Sequence, residues 1–226
     1  MSTEQSERSR DHPPVEPAVL SATGLAKAYR RGVWPRRSTV EVLKGASLDL
    51  FAGEMVGLVG ENGSGKSTLM KVLVGDLRAD GGSVSQLGSF GYCPQVPVLY
   101  DRLTCDEHLD LFGIAYGLDG QALSRSRSTM YRELDFERFA TTRVEALSGG
   151  TRSKLNLALA MLHDPQVLLL DEPYAGFDWD TYLRFWELTA TRREAGASVL
   201  VISHFIADEE RFDRIYDLRD GRLAQR

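Results

Sequence analysis

The sequence lacks a long apolar run, and this absence limits how the chain can relate to a membrane. No stretch approaches the roughly 20 apolar residues that a membrane-spanning helix needs. The N-terminus is polar and has no apolar segment typical of a signal peptide. If the protein works at a membrane, we expect something other than a segment of this chain to hold it there.

Cysteine and net positive charge are also scarce. Cys93 and Cys105 have no metal-binding or redox spacing, so we expect two reduced thiols in a cytosolic protein. Lys and Arg number 27 against 32 Asp and Glu, which gives a net charge of −5. A chain with this balance is not expected to bind nucleic acid. Its 226 residues, 42% of them hydrophobic, suffice for one large domain or two small ones.

Glycine, in contrast, is concentrated in one informative stretch, Gly60–Thr68, which reads Gly-Glu-Asn-Gly-Ser-Gly-Lys-Ser-Thr. Gly60, Gly65, Lys66 and Ser67 occupy the fixed positions of a phosphate-binding loop. Glycines let the backbone approach a polyphosphate, and the amides and the following helix dipole attract its charge. Lys66 is predicted to contact the β- and γ-phosphates, and Ser67 to bind Mg²⁺.

The segments on either side of this loop support the same interpretation. Residues 55–59 predict a short buried strand, and residues 69–74 predict a helix. A chance match to the four fixed positions would occur in roughly one chain in a hundred, given the usual frequency of glycine. The sequence therefore predicts nucleotide binding.

Two further apolar runs, 167–170 and 198–202, end on polar residues. The first closes on Asp171 and Glu172, and the second closes on His204 after one serine. Apolar runs without alternation are typical of parallel strands buried on both faces. We expect both to lie beside the strand that precedes the phosphate loop, with the ligand at their carboxyl ends.

The polar residues at these strand ends indicate hydrolysis. Asp171 is predicted to organise Mg²⁺, and Glu172 to orient and partly deprotonate the attacking water. The alternative is that this acidic pair only caps the next helix. Gln95, at the end of a strand near 90–92, is predicted to offer its amide to Mg²⁺ or to the water. His204 is predicted to hold a γ-phosphate oxygen.

Two aromatic residues, Tyr29 and Trp34, compete for stacking on a nucleotide base. Both lie in the segment 29–37, which holds four arginines with a Gly and a Pro and is predicted to be a turn between strands. Its charge suits contact with lipid headgroups or phosphates, and it equally suits a solvated hairpin tip.

The remaining segments are interpreted by composition and periodicity. Residues 1–18 are polar and predict a disordered tail, and 214–223 predict a terminal hairpin. Helical periodicity recurs within 103–116, 151–162 and 180–194, with a loop predicted at 147–150.

Taken in order, these motifs resemble the ATP-binding-cassette ATPases, the nucleotide-binding subunits of ABC transporters, over residues 19–223. Gly60–Thr68 matches the Walker A loop, Leu147–Gly150 the signature motif, and Leu168–Glu172 the Walker B strand with its catalytic glutamate. Four weaker positions follow the family order: Gln95 at the Q-loop, Ala175–Asp178 at the D-loop, His204 at the H-loop and Tyr29 near the adenine-stacking aromatic.

The resemblance implies an α/β fold with a P-loop NTPase (RecA-like) core and a mostly parallel sheet. It also implies an antiparallel β subdomain and a helical insertion at about 96–161, all within one domain at 19–226. ATP and Mg²⁺ are the implied cofactors. The residues implied to act in catalysis are Glu172, His204, Gln95 and Lys66, and the Mg²⁺ ligands are Ser67, Gln95 and Asp171. The residues implied to bind nucleotide are Tyr29, Gly60, Glu61, Asn62, Gly63, Ser64, Gly65, Lys66, Ser67, Thr68, Ser148, Gly149, Gly150 and Asp178.

The family mechanism implies two kinds of protein partner and no nucleic acid. A second cassette, most simply an identical copy, would enclose two ATP molecules head to tail. Ser148 and Gly150 of one copy would contact the γ-phosphate held by Lys66 of the other. An integral-membrane permease would dock near Gln95 and the helix at 103–112, which would keep the chain on the inner face of the cell membrane.

Three departures from the family pattern bear on this resemblance. Thr151 stands where the signature motif usually continues with Gln, the stretch between Lys66 and Gln95 is short, and residues 34–37 lengthen the loop after Tyr29. The leading hypothesis is a transport ATPase, with residues 100–111 closer to bacterial exporters than to importers. The alternatives are a soluble cassette that acts on ribosomes or DNA, and a poorly hydrolysing regulatory subunit.

Overall fold

The computed structural model describes residues 17–31, 38–203 and 209–226. The predicted tail up to residue 16, the aromatic Trp34 and the predicted phosphate contact His204 lie outside the described residues. Cys93 and Cys105 are both buried and are not joined in a disulfide.

A three-stranded antiparallel sheet forms the N-terminal part of the fold. Its strands are β1 (Leu20–Arg31), β2 (Ser38–Leu50) and β4 (Gly81–Gln86), in the order β2-β1-β4. Of the three strands of this sheet, only β4 comes from the short stretch between Lys66 and Gln95. The turn predicted at 29–37 is wrong in its first part, because β1 continues to Arg31 and Tyr29 pairs with Val40 of β2.

A six-stranded sheet forms the centre of the molecule. Its strands are β5 (Phe90–Cys93), β6 (Val167–Asp171), β7 (Ser198–Ile202), β3 (Met55–Val59), β8 (Arg214–Arg219) and β9 (Arg222–Gln225), in that spatial order. The first five run parallel and β9 is antiparallel to β8. The predicted neighbours β3, β6 and β7 are therefore adjacent, and the terminal hairpin is confirmed.

The three central strands are buried at every position, as their uninterrupted apolar runs predict. Side chains alternate between the two faces of a strand. Leu168 and Leu170 of β6 join the apolar core on one face, and Val167 and Leu169 join the core on the other. Burying such a side chain stabilises the fold by about 1.5–3 kcal/mol. The buried strands therefore fix the positions of the polar residues at the carboxyl edge of the sheet.

In the part of the chain that the structure describes, five α-helices surround the sheets: α1 (Lys66–Leu73), α2 (Cys105–Ala115), α3 (Gly120–Leu134), α4 (Gly149–Met161) and α5 (Trp179–Glu194). The predicted loop at 147–150 is wrong in its second half, because α4 begins at Gly149 with Ser148 as its N-cap. Within the described ranges, none of the helices combines the length and the apolar character that crossing a bilayer requires.

Candidate functional site

The loop at 60–68 connects the central strand β3 to α1 and presents the open N-terminus of that helix. Gly65 is the N-cap with φ of 112°, a conformation that favours glycine, and the first turn carries no acidic residue. The first helical hydrogen bond runs from the amide of Leu69 to the carbonyl of Gly65. The amides before Leu69 have no intrahelical acceptor, so they and the helix dipole form a site suited to an anion.

Lys66 lies inside this loop and is only 6% exposed. Its Nζ donates to the carbonyl of Gly60 at 2.6 Å and to that of Glu61 at 3.0 Å. Burial lowers the pKa of Lys66, and the nearby charges of Glu172 and Asp171 partly oppose that shift. The loop thus holds an ammonium group close to both members of the acidic pair.

The conformation of the loop leaves no room for a side chain at Gly60. A Cβ added at Gly60 would come within 2.5 Å of the carbonyl oxygen of Leu218 and 2.7 Å of Ser64 Oγ. Ser64 Oγ is buried and has no hydrogen-bond partner among the described residues. A buried hydroxyl of this kind is normally satisfied, so it is a donor suited to a phosphate oxygen.

The acidic pair lies at the end of β6, which is separated from β3 by β7. Asp171 is 3% exposed, and Glu172 follows it with a backbone φ of 49°. A positive φ at a residue other than glycine is uncommon and costs about 1–3 kcal/mol, and such strain tends to occur at functional sites. The amide of Glu172 donates to the carbonyl of Ile202 at the end of β7, which fixes the turn.

Gln95 meets this pair across the sheet. Its Nε2 donates to Oε2 of Glu172 at 2.9 Å, although the two residues are 77 positions apart in the chain. The three strand ends of β5, β6 and β3 therefore bring Gln95, Glu172 and Lys66 to one edge. The acidic pair does not cap the next helix, because Asp178 caps α5 by accepting from the amide of Thr181 at 2.8 Å.

The other predicted nucleotide contacts lie around a cavity of about 660 Å³ beside the loop. Glu61, Asn62, Gly63 and Ser64 line it, together with Val40 and Val42 of β2. Tyr29 is half-exposed and is the cross-strand partner of Val40, so it lies at the border of this cavity. Ser67 is exposed and Thr68 is half-buried, both in the first turn of α1.

A second group of predicted site residues collects at the start of α4. Ser148 caps this helix, and Ser148 and Gly149 are exposed while Gly150 is half-buried. The start of α4 packs on the loop 175–178, since Ser153 Oγ donates to the carbonyl of Ala175 at 3.0 Å. Asp178 belongs to this group, because the charge of Lys154 on α4 contributes to lowering its pKa, after its bonds to Thr181.

The two groups stay separate within one chain. Among the described residues, no hydrogen bond or ion pair joins 148–150 to the loop at 60–68. They nevertheless share an electrostatic feature. Of the five helices in the described ranges, α2, α3 and α5 have an acidic residue at the cap or in the first turn, whereas α1 and α4 have none. The chain thus presents two helix N-termini without a carboxylate, each suited to an anion.

The start of α4 packs closely against the loop 175–178 at Gly150. A Cβ at Gly150 would lie 2.7 Å from the backbone oxygen of Gly176, so the start of α4 or the loop 175–178 must move in a Gly150→Ala variant. We expect nucleotide hydrolysis to fall on the order of 10²-fold, as for a 1 Å misplacement of a catalytic group. A steady-state hydrolysis assay measures this.

The matched control is Gly120→Ala, at the first turn of α3, where an added Cβ meets no atom within 4 Å. That variant should hydrolyse nucleotide like the parent chain. Equal activity of both alanine variants would contradict the role given to the contact between Gly150 and Gly176.

Asn156, which belongs to none of the motifs, joins the two groups. Asn156 of α4 is buried, and its Nδ2 donates to the carbonyl of Pro94 at 2.8 Å, directly before Gln95. The sequence does carry a signal for it, since Asn156 is a polar residue within the apolar run 155–161 of α4. Buried side-chain amides are normally hydrogen-bonded, so a polar residue inside an apolar helical run indicates a specific partner.

Comparison with known proteins identifies the same family that the sequence motifs resemble. The family model for ABC transporters matches residues 43–175. An ABC transporter ATP-binding protein of Synechocystis is 32% identical over 95% of this chain, and Nod factor export ATP-binding protein I of Burkholderia lata is 34% identical over 85%. A solved structure of the ATP-binding subunit of an ABC transporter is 30% identical and superposes with a TM-score of 0.82 over 92% of this chain and 89% of its own. The chain spans 64% and 67% of the length of the two relatives.

Proposed function

The chain belongs to the ABC transporter ATPases, and from this membership we propose that it binds and hydrolyses ATP to drive transport through a separate membrane permease. The observation that carries the proposal is the proximity of Lys66, Asp171 and Glu172 at the carboxyl edge of the parallel sheet. Triphosphate binding needs the cation and the amides, and hydrolysis needs a carboxylate beside them. All of these groups are present at one edge.

The phosphates are assigned to the loop at 60–68. Lys66 supplies the point charge, the amides at the start of α1 supply donors, and Ser64 Oγ supplies a hydroxyl. In binding a phosphate, the ammonium group exchanges backbone carbonyls for anionic oxygens, which are the stronger acceptors. Adenine is assigned to Tyr29, at the border of the neighbouring cavity, where its exposed face is available for stacking.

Mg²⁺ fits the oxygen ligands that this edge offers. The hydroxyl of Ser67, the carboxylate of Asp171 and the side-chain oxygen of Gln95 are hard donors of the kind that Mg²⁺ prefers. One or two carboxylates with phosphate oxygens are a usual ligand set for this ion. When bound, Mg²⁺ would neutralise part of the negative charge of the phosphates.

Glu172 is assigned the role of general base toward the attacking water. Its carboxylate is oriented by the hydrogen bond from Gln95, and its backbone is held by the bond to Ile202. Gln95 thereby links the base to the end of β5, and His204 is assigned to a γ-phosphate oxygen. The charge of Glu172 also favours the ammonium form of Lys66, which partly opposes the lowering of the Lys66 pKa by burial.

We further propose that two copies of the chain enclose each nucleotide. The start of α4 presents Ser148 and Gly150 with no carboxylate at its own cap or in its first turn, and it packs on its own loop 175–178 rather than over its own phosphate loop. A two-fold arrangement brings the same two patches of both copies together. The second copy would then complete each site with its own α4 N-terminus.

The surface assigned to permease docking is formed by the residues that follow Gln95 in the chain and by α2. Val98 and Ile114 there are 76% and 73% exposed, and Val96 and Leu111 are also exposed. Clustered exposed apolar side chains mark interaction sites. We propose that this surface docks on a permease at the inner face of a bacterial membrane. The similarity to a Nod factor export protein supports export as the direction.

Two measurements test the proposal. The purified chain should hydrolyse ATP only with Mg²⁺ present, and a permease-free chain that never hydrolyses ATP would favour the regulatory alternative.

In its native host, the tagged chain should sediment with membranes, and Ile114→Asp should release it. The control Leu87→Asp, at an exposed leucine directly after β4 of the antiparallel sheet, should remain bound. Wild-type chain found with ribosomes instead would contradict the transport assignment.

A further inference from the structure

The hydrogen bonds at the start of α4 join the cap Ser148 to a buried neighbour, Thr151. Thr151 is the third residue of the helix and is only 6% exposed, whereas the cap Ser148 is exposed. The amide of Thr151 donates to Ser148 Oγ at 3.2 Å, and the two hydroxyl oxygens lie 2.9 Å apart. The side chain of Thr151 is thus in direct contact with the one side-chain oxygen assigned to the second copy's nucleotide.

The direction of this hydroxyl pair follows from counting protons and acceptors. A hydroxyl donates one proton and accepts two. Within the described residues, Thr151 Oγ1 has Ser148 Oγ as its only hydrogen-bond partner. If Ser148 donated inward, the buried proton of Thr151 would have no acceptor, and leaving a buried donor unpaired is costly. The favoured arrangement therefore has Thr151 donating to Ser148.

We propose that Thr151 is a positioning residue that fixes Ser148 as an outward-pointing donor. With one bond from the Thr151 amide and one from its hydroxyl, both acceptor positions of Ser148 Oγ are occupied. Its single proton then points away from the helix, beside the free amides of Gly149 and Gly150. This rests on the proposed function and deepens it, because a group that can only donate selects the terminal phosphate oxygens of ATP held by the second copy.

A comparison within the chain shows why the residue type at this position matters. In α2 the third residue is Glu107, whose carboxylate accepts from the amide of the cap Thr104 at 2.7 Å. That carboxylate occupies the helix N-terminus and would repel a phosphate. Thr151 occupies the equivalent third position of α4, and it supports the cap without a negative charge. The N-terminus of α4 therefore remains favourable for an external anion.

The experiment follows ATP-driven pairing of the chain in a Glu172→Gln background, where hydrolysis does not consume the nucleotide. Thr151→Val removes the hydroxyl but keeps the shape, and Thr151→Ser keeps the hydroxyl. We expect Thr151→Val to raise the ATP concentration at half-maximal pairing about tenfold, as for one weakened bond to a charged group. Thr151→Ser should stay close to the parent. Sedimentation velocity with Mg-ATP measures the pairing.

A double-mutant cycle shows whether Thr151 acts through Ser148. Adding Thr151→Val to Ser148→Ala should weaken pairing no further than Ser148→Ala alone. Full additivity of the two changes, or pairing of Thr151→Val equal to the parent, would overturn the proposal. If Thr151→Val fails to fold, Thr151→Ala removes the same hydroxyl and is held to the same criteria.

Nucleotide binding by the single chain separates this inference from the proposed function. Mg-ATP affinity at chain concentrations too low for pairing should be the same in the parent and in Thr151→Val, because Lys66 and its loop are unchanged. A parent chain that binds no ATP would refute the proposed function itself. A parent that binds and pairs, with a Thr151→Val variant that pairs equally well, would refute only the role of Thr151.

Discussion

A Glu172→Gln variant is expected to lose ATP hydrolysis while two ATP-loaded chains remain paired. The amide that replaces the carboxylate cannot accept the proton of the attacking water, and such a general base is worth about 10²–10⁴-fold in rate. It can still accept the hydrogen bond from Gln95, so the geometry around the site is preserved. Turnover assays measure the loss, and size-exclusion chromatography with Mg-ATP measures the pairing.

The control for charge loss alone is Glu187→Gln, on the exposed side of α5. It should hydrolyse ATP at the parent rate and should not accumulate as a pair. A Glu172→Gln chain that stays single at saturating Mg-ATP would remove the main support for enclosure by two copies. Normal turnover in that variant would remove Glu172 from the reaction.

A Lys66→Ala variant should bind ATP weakly and turn over none of it. The ammonium group is replaced by a methyl group, so a charge-assisted contact worth about 1.5–3 kcal/mol is lost, which corresponds to roughly 10- to 150-fold in dissociation constant. In the transition state the loss is larger because charge accumulates on the transferred phosphate. Titration calorimetry with ATP measures the binding, and a turnover assay measures the rate.

Lys71→Ala is the matched control, since Lys71 lies on the same helix and is exposed. Removing its charge should leave both quantities close to those of the parent. If Lys66→Ala instead bound and hydrolysed ATP normally, the ammonium group would have no part in holding the phosphates. The buried position of Lys66 would then need another explanation.

The sequence predicted the parts of the fold that depend on local pattern. The apolar runs at 55–59, 167–170 and 198–202 became adjacent buried strands, because unbroken apolar sequence is stable only between two covered faces. Gly60 and Gly65 identified the phosphate loop because few other conformations need glycine at that spacing. The helices were also predictable, because their apolar residues recur with helical periodicity.

The details that connect the site were not predictable, because they depend on register and on single atoms. The bond between Gln95 and Glu172 requires β5 and β6 to align so that Cys93 lies beside Leu170. The start of α4 was misplaced because Gly149 and Gly150 are typical of loops, whereas the cap Ser148 and its bonds to Thr151 allow a helix there. The positive φ of Glu172 has no signal in residue type.

Mixing two inactive variants tests most directly whether the two anion-binding helix starts act on the same nucleotide from different chains. Lys66→Ala and Ser148→Ala should each be inactive alone. In a mixed pair, both defects fall on one nucleotide site and the other site is intact, so hydrolysis should recover to about a quarter of the parent rate for random two-fold pairing. A mixture as inactive as its components, with both variants folded and pairing, would contradict enclosure by a second copy.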